Sequence, residues 1–389
     1  MAGAGPDPRR SLLLGLFQAA LTAVDGRRRV RAALAATADG APVSALAVGK
    51  AAGAMMQGAL DALGGRIGRA LVVAPDDGSA DALGAHPSVR CLAGSHPLPD
   101  ARSVAAGEAM LEFAAATPPG SRVLLLVSGG ASALAEAPAA GVTLESLRDL
   151  TAAALAEGTD IEALNARRRE LSRIKAGRLV ERFRGCEVQG LLISDVPRDD
   201  PAVAASGMLA SASCQVTIVA RLADALEAVL RAARAQGLEA ALAPERLAGE
   251  AAEAAGRICH ELATIPQALL IAGGETVVRL PAHPGRGGRC QHLALAAAGL
   301  IAGHPEYLLL AAGTDGRDGS SDDAGAIVDG DTVARIGNAG LDVAAGLATA
   351  DSGTLLEAAG DLVYTGATGT NVGDIVLALR LPPGSATAM

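Results

Sequence analysis

Five short runs of β-prone residues, each closed by glycine or polar residues, constrain this chain more than any other feature. Val43 to Val48 ends in Gly49-Lys50, Val123 to Val127 in Ser128-Gly129-Gly130-Ala131-Ser132, and Leu191 to Ile193 in Ser194-Asp195-Val196-Pro197. Ala268 to Ala272 is closed by Gly273-Gly274-Glu275-Thr276, and Leu308 to Ala312 by Gly313-Thr314-Asp315-Gly316. Longer helical patterns separate these runs. The alternation predicts βαβ units, hence an α/β fold with mostly parallel sheets and helices on both faces. Such sheets bind ligands beyond the carboxyl ends of their strands, where these glycines and charges fall. The length of 389 residues predicts more than one domain. Ala223 to Gln236 and Pro244 to Leu262 read as amphipathic helices bridging two domains, with the boundary expected between 245 and 246.

Composition narrows the function. Half of the residues are hydrophobic but only 1% are aromatic, so the core is aliphatic. A net charge of −9 argues against nucleic-acid binding, which needs clustered positive charge on one face. The longest uninterrupted apolar run, Leu293 to Gly303, has 11 residues, short of the ~18 that a membrane span requires. Arg9-Arg10 followed by Leu12 to Phe17 has the look of an export signal. The spacing of Leu13, Leu16, Phe17, Ala20, Leu21 and Val24 instead predicts one face of a packed first helix. The five cysteines are dispersed with no CxxC, which suits reduced thiols in a cytoplasm and disfavours a zinc site.

Several strand-end loops carry the residue types that phosphate chemistry needs. Gly49-Lys50 places a lysine at a helix start, where backbone amides already attract anions, although no Walker A pattern is present. The Ser128 to Ser132 loop, with Gly129 and Gly130, lets the backbone approach phosphate and offers two hydroxyls. Asn165 to Lys175 is the densest basic stretch; on a helix, Arg168, Ser172 and Lys175 share a face suited to an anionic ligand. Gly285-Arg286-Gly287-Gly288-Arg289 opens a further helix with cations beside it. Thr314 to Asp323 supplies four carboxylates, including Asp315 and Asp318, in a spacing that fits Mg²⁺ with its retained waters and not an EF-hand. Each motif alone is also what an ordinary turn or solvated helix looks like. Cations, glycine cradles and carboxylates together are the parts of a phosphoryl-transfer site.

In this order the motifs resemble the glycerate 2-kinases of the MOFRL group. The resemblance spans nearly the whole chain, through Gly49-Lys50-Ala51, Gly94-Ser95-His96-Pro97-Leu98-Pro99-Asp100, Ser128 to Leu134, Asn165 to Lys175, Ser194 to Pro197, Gly273 to Thr276, Gly285 to Arg289, Gly313 to Gly319 and Thr365 to Val372. It implies a Rossmann-like domain over 1–245, a smaller MOFRL α/β domain over 246–389, and an inter-domain cleft. The implied reaction is phosphorylation of D-glycerate at its 2-hydroxyl by ATP and Mg²⁺, with small-molecule partners only, in the cytoplasm, and with a homodimer left open. By resemblance, Lys50 and Arg289 contact the transferring phosphoryl, and Asp315 and Asp318 hold Mg²⁺, with Glu275 as a further carboxylate. Gly49, Ser128, Gly129, Gly130, Ser132 and Asn371 line the ligand cleft, with Asn165, Arg168 and Lys175 nearby. To Asp195 we assign the orientation or deprotonation of the acceptor hydroxyl.

The chain departs from that group at several points. Glu170 stands where His is usual, Cys290 and His292 replace Asn and Glu around Gln291, Met208 and Ala367 replace prolines, and Ala176 replaces a glycine. None removes Lys50, Asp195, Arg289 or Asp315, so the departures bear on acceptor choice more than on reaction type. Two other readings compete. An NAD(P)H-dependent hydroxypyruvate reductase should carry GxGxxG after its first strand, and Val48 to Gly53 does not. A non-catalytic nucleotide or hydroxy-acid sensor would bind ATP without turnover.

Overall fold

A computed structural model describes residues 7–35, 40–157 and 167–381, with the backbone alone for 151–157. The chain divides into two compact units. One comprises residues 24–221 and 369–372; the other comprises 1–23, 222–368 and 373–389.

The first unit is built on a six-stranded parallel sheet: β1 (Val43–Val48), β2 (Ile67–Pro75), β3 (Val89–Gly94), β4 (Arg122–Val127), β5 (Glu187–Ile193) and β6 (Cys214–Ala220), in the order β3-β2-β1-β4-β5-β6. Leu46, Val48, Leu124, Leu126 and Leu192 are buried, as strands covered on both faces require. The core is aliphatic, with Phe113 and Phe183 edge to face as its aromatic pair. Strand order reverses between β1 and β4. At such a switch point the two outgoing connections leave to opposite faces and open a crevice at the carboxyl ends. Gly49-Lys50 and Ser128 to Ser132 are the loops that leave those two strands.

The second sheet differs from expectation. Its order is β11 (Leu362–Val363), β10 (Gly325–Asp329), β9 (Tyr307–Gly313), β12 (Asp374–Arg380), β8 (Leu269–Gly274) and β7 (Ala240–Leu242). Only β7 and β8 pair in parallel, because β12 inserts antiparallel between β8 and β9. A pattern of single strands and helices cannot reveal that a strand from the end of the chain will occupy the middle of a sheet. The Arg289–Leu300 helix, which connects β8 to β9, is buried along most of its length, from Cys290 to Leu295 and at Ala297 and Ala298.

The first helix, α1 (Pro8–Ala23), buries Leu13, Leu16, Phe17, Ala20 and Leu21 as its spacing predicts. It belongs to the mixed-sheet unit, where it meets the Leu222–Ala235 helix, β9 and β12. Both of its arginines serve the fold: Arg9 Nη1 donates to the Pro305 and Leu381 carbonyls at 2.7 Å, and Arg10 bridges Asp329 and Asp361. The units part at 221/222, ahead of the expected 245/246. The Leu222–Ala235 helix packs on β8 and α1 and is no bridge, and 369–372 returns to the first unit. Pro244 does not begin the next helix, which spans Ala251–Thr264, because Leu247 and Glu250 bridge to Gly274 and Val277. Among the described residues no helix is long and apolar enough to cross a membrane, and all five cysteines are free.

Candidate active site

In the parallel-sheet unit the ends of β1 and β4 are stitched together by their loops. Ser128 N–H donates to the Val48 carbonyl at 3.1 Å, Lys50 N–H to the Gly129 carbonyl at 2.9 Å, and Ala51 N–H to Ser128 Oγ at 3.0 Å. Gly49 has φ +128°, and a β-carbon there would stand 2.2 Å from Ser128 Oγ, so only glycine lets the two loops close. Ser128 is buried and its hydroxyl serves this stitch. The next two glycines form the floor of the site. A β-carbon at Gly129 would lie 2.1 Å from Asp195 Oδ2 and 2.2 Å from Asn371 Nδ2; one at Gly130 would lie 3.0 Å from Lys50 Cγ and 3.4 Å from His96 Cδ2. Lys50, Asp195 and Asn371, remote in sequence, thus converge on one glycine pair.

The basic stretch behaves otherwise. Asn165 lies outside the described residues. Among the described residues of the stretch helix covers 167–170, and Arg173 N–H then donates to the Ala137 carbonyl at 2.7 Å while Ala139 N–H donates to that of Leu171 at 2.8 Å. That pairing ends the helix and overturns the shared face of Arg168, Ser172 and Lys175. Lys175 is fully buried, with Nζ paired to Glu136 and donating to the Ser132 carbonyl at 3.0 Å. Burial lowers its pKa and Glu136 opposes that shift. Its ammonium is therefore part of the interior and does not face a ligand. Burial likewise lowers the pKa of Arg168, again opposed by Glu136. Ser132 Oγ lies 2.6 Å from Ser206 Oγ.

In the mixed-sheet unit Arg289 opens the Arg289–Leu300 helix after Gly288. Its guanidinium forks onto the Asp374 carboxylate, Nε at 2.5 Å and Nη2 at 2.9 Å, and Nη1 reaches Glu275 at 3.0 Å. Burial opposes its charge, but Asp374 and Glu275 outweigh burial and hold the pKa above its ordinary value. Asp318 accepts the amides of Cys290 at 3.0 Å and Gln291 at 2.7 Å, so it caps this helix from another loop. Burial and the nearby Asp374 raise its pKa to about 7 against those amide bonds. A carboxyl 2% exposed, with both oxygens on amides, is a structural cap, which corrects its expected role as a metal ligand. Asp315 is half-buried. A β-carbon at Gly313 would stand 3.1 Å from Asp315 Oδ1 and 3.5 Å from Asp374 Oδ1, so these two carboxylates share one strand end. Among the described residues no group of three or more metal-ligating side chains assembles.

A family profile described as MOFRL family matches residues 268–374, and one described as a domain of unknown function (DUF4147) matches 12–239. A D-glycerate 2-kinase of Thermotoga maritima is 33% identical over 377 residues, covering 86% of this chain and 89% of that protein. A crystal structure of glycerate kinase from the same organism superposes with a TM-score of 0.82 at 32% identity, covering 97% of this chain and 100% of the other. The chain belongs to the MOFRL glycerate kinase family. A putative hydroxypyruvate reductase of Agrobacterium vitis is 35% identical, covering 85% of this chain and 97% of that protein.

As a glycerate kinase family member the chain is an enzyme of the kinase class, and its two α/β sheets are those of the family fold. Two residues at its strand ends escaped the sequence reading. Asp374, which orients Arg289, follows Gly373 directly after the Thr365 to Val372 motif; nothing in its spacing marked it, because its partner lies 85 positions away. His96 lies in the Gly94 to Asp100 motif, but its place beside Gly130 depends on the turn after β4 running back across the sheet to the end of β3, where the Leu134 carbonyl lies against Gly94.

Proposed function

We propose that this kinase transfers the γ-phosphoryl of ATP to the 2-hydroxyl of D-glycerate, giving 2-phosphoglycerate and ADP in the cytoplasm. The convergence of Lys50, Asp195 and Asn371 on the Gly129-Gly130 pair at the switch point of the parallel sheet carries this reading. Catalysis of phosphoryl transfer is mainly positioning and charge neutralisation, and those residues supply both. Asp195 takes the proton of the 2-hydroxyl as its oxygen bonds to the γ-phosphorus, and the bond from that phosphorus to the β–γ bridging oxygen breaks. Lys50 neutralises charge on the transferring group, and in the mixed-sheet unit Arg289, preset by Asp374 and Glu275, is a further cation suited to phosphate. The Gly129-Gly130 amides admit phosphate oxygens at close approach, and Asn371 and Arg168 orient the acceptor.

Mg²⁺ suits the half-buried Asp315, since this ion needs only one or two carboxylates besides phosphate and water. Bound there, it would offset the charge of the triphosphate.

The test is ADP release from ATP and Mg²⁺ with D-glycerate, beside L-glycerate, glycolate and tartronate, with NADH oxidation on hydroxypyruvate as control. Release on D-glycerate with 2-phosphoglycerate as product is expected. Release on another acid alone would move the acceptor to that acid. NADH consumption without ADP release would favour the reductase named for the Agrobacterium relative, and ATP binding without turnover would favour a sensor.

A further inference from the structure

The Lys175–Glu136 ion pair is deeply buried, with both side chains at most 2% exposed. Its bonds close on protein alone. Glu136 Oε1 accepts the Ala137 amide at 2.9 Å, Oε2 meets Lys175, and Lys175 donates onward to the Ser132 carbonyl at 3.0 Å. Removing two charges from water is costly, and apolar residues of similar volume often replace such pairs without loss of stability. A role beyond stability is therefore to be sought in what the pair touches.

It touches the segment that follows the glycine pair. The Ala131–Leu134 helix is a single turn started by Gly130 at φ +81°, too short to hold itself. From Leu134 to Glu136 its backbone is wedged: a β-carbon at Gly94 would lie 2.0 Å from the Leu134 carbonyl, and one at Gly107 would lie 2.1 Å from that of Glu136. Glu136 N–H also donates to the Ser103 carbonyl at 2.9 Å. Those contacts fix the far end of the turn. Near its start the Ser132 carbonyl is held by Lys175 and the Ser132 hydroxyl by Ser206, which itself stands at φ +55° with its carbonyl accepting Ala176 N–H at 3.2 Å.

We propose that Lys175 is a positioning residue whose buried ammonium, through Glu136 and the Ser132 carbonyl, sets the Gly129-Gly130 turn against which Lys50 and Asp195 act. The kinetic consequence rests on the reaction proposed above, whereas the structural consequence does not. Displacing a catalytic turn by about 1 Å costs up to ~10²-fold in rate.

Lys175→Met alone leaves Glu136 charged and buried, so the deciding variant is Lys175→Met with Glu136→Gln. It removes both charges together and keeps an acceptor for the Ala137 amide. Thermal melting reads stability; kcat and KM read positioning; amide hydrogen exchange at Ala133 to Ala135, whose N–H groups bond to Gly130 and Ala131, reads the turn itself. We expect a Tm within about 4 °C of the parent. The kcat on D-glycerate falls at least about tenfold while KM for Mg-ATP changes less than about threefold. Exchange at those three amides quickens at least about tenfold over the rest of the unit. Exchange and turnover both within about twofold of the parent would overturn the proposal and leave Lys175 a stability element. A parent protein silent on D-glycerate would sink the reaction, and exchange alone would then decide the role of Lys175.

Discussion

Both units place a cation beside a glycine-rich turn at a strand end, and they hold it by different means. In the parallel-sheet unit Lys50 lies over Gly130, and its place follows from backbone geometry: Gly49 at φ +128°, amide bonds between two loops, and a wedged turn. In the mixed-sheet unit Arg289 is held by charge, forked on Asp374 and braced by Glu275, with Asp318 capping its helix. The difference follows from the sheets. A parallel sheet with a switch point supplies a crevice and facing loops by topology alone. The antiparallel insertion of β12 supplies no crevice of that kind, but it delivers the Asp374 carboxylate beside β8 and β9.

The largest test of this contrast is Lys50→Ala. A charge that acts on the transferring phosphoryl acts mainly in the transition state, so kcat should fall by about 10²–10³ with KM for D-glycerate little changed. The melting temperature should fall far less than turnover does, because the backbone bonds of Lys50, Ala51 and Ser128 that join the loops remain whatever side chain stands at 50. Steady-state kinetics and calorimetry on one preparation check both halves. Unchanged turnover would remove Lys50 from the mechanism.

Asp374→Asn should behave in the opposite way, with stability lost along with function. The carboxylate is buried while the guanidinium is about a third exposed and keeps Glu275, so the loss should be about 2 kcal/mol, below that of a fully buried broken pair. Chemical denaturation measures it. A variant as stable as the parent would show that Arg289 is not held by charge.

Asp318 sharpens the same point through pH. Its pKa is about 7 in the fold against an ordinary 3.8, with burial as the main cause. A raised carboxyl pKa means that the folded state holds its proton more tightly than the unfolded chain. The stability linked to that proton is complete below about pH 4 and is lost as pH rises to about 7. Asp318→Asn cannot titrate. The Tm advantage of the parent over this variant should therefore shrink from pH 5 to pH 8; an advantage that widens with pH would contradict the burial of this carboxyl.

How much of this was legible in the sequence follows the same divide. Three strands of the parallel sheet, β1, β4 and β5, and their loops were readable, because each is a local apolar run closed by glycine or polar residues, and Val43 to Val48 and its Gly49-Lys50 turn stand where the pattern put them. The edge strands β3 and β6 were not, because they are only partly buried and mix polar with apolar residues, and β2 is broken by Gly68-Arg69. The mixed sheet was not, because β12 pairs with strands 60 and more positions away and its residues carry no mark of direction. Charge was the poorest guide to exposure. Lys175 and Asp318 read as ligand-facing groups, yet each finds its partners in the interior, Glu136 for one and two helix amides for the other. Burial of a charge depends on a partner, and partners distant in sequence leave no local trace.

The smallest expected effect belongs to the backbone side of the comparison. Ala176 stands at φ +53°, beside Lys175, at a position where the resembled group carries glycine, and its N–H donates to the Ser206 carbonyl at 3.2 Å. An alanine in the left-handed region is strained by about 1 kcal/mol, because its β-carbon crowds the backbone. Ala176→Gly removes that strain but frees the unfolded chain by about 0.4–1 kcal/mol. The net gain should be about 0.5 kcal/mol or less, a rise in Tm of about 1 °C. Calorimetry with replicate scans resolves a shift of that size. A loss of about 1 kcal/mol would mean that the turn at 176 is relaxed with alanine in place, and the anchorage of the Gly129-Gly130 turn would then rest on the Lys175–Glu136 bond without help from backbone conformation.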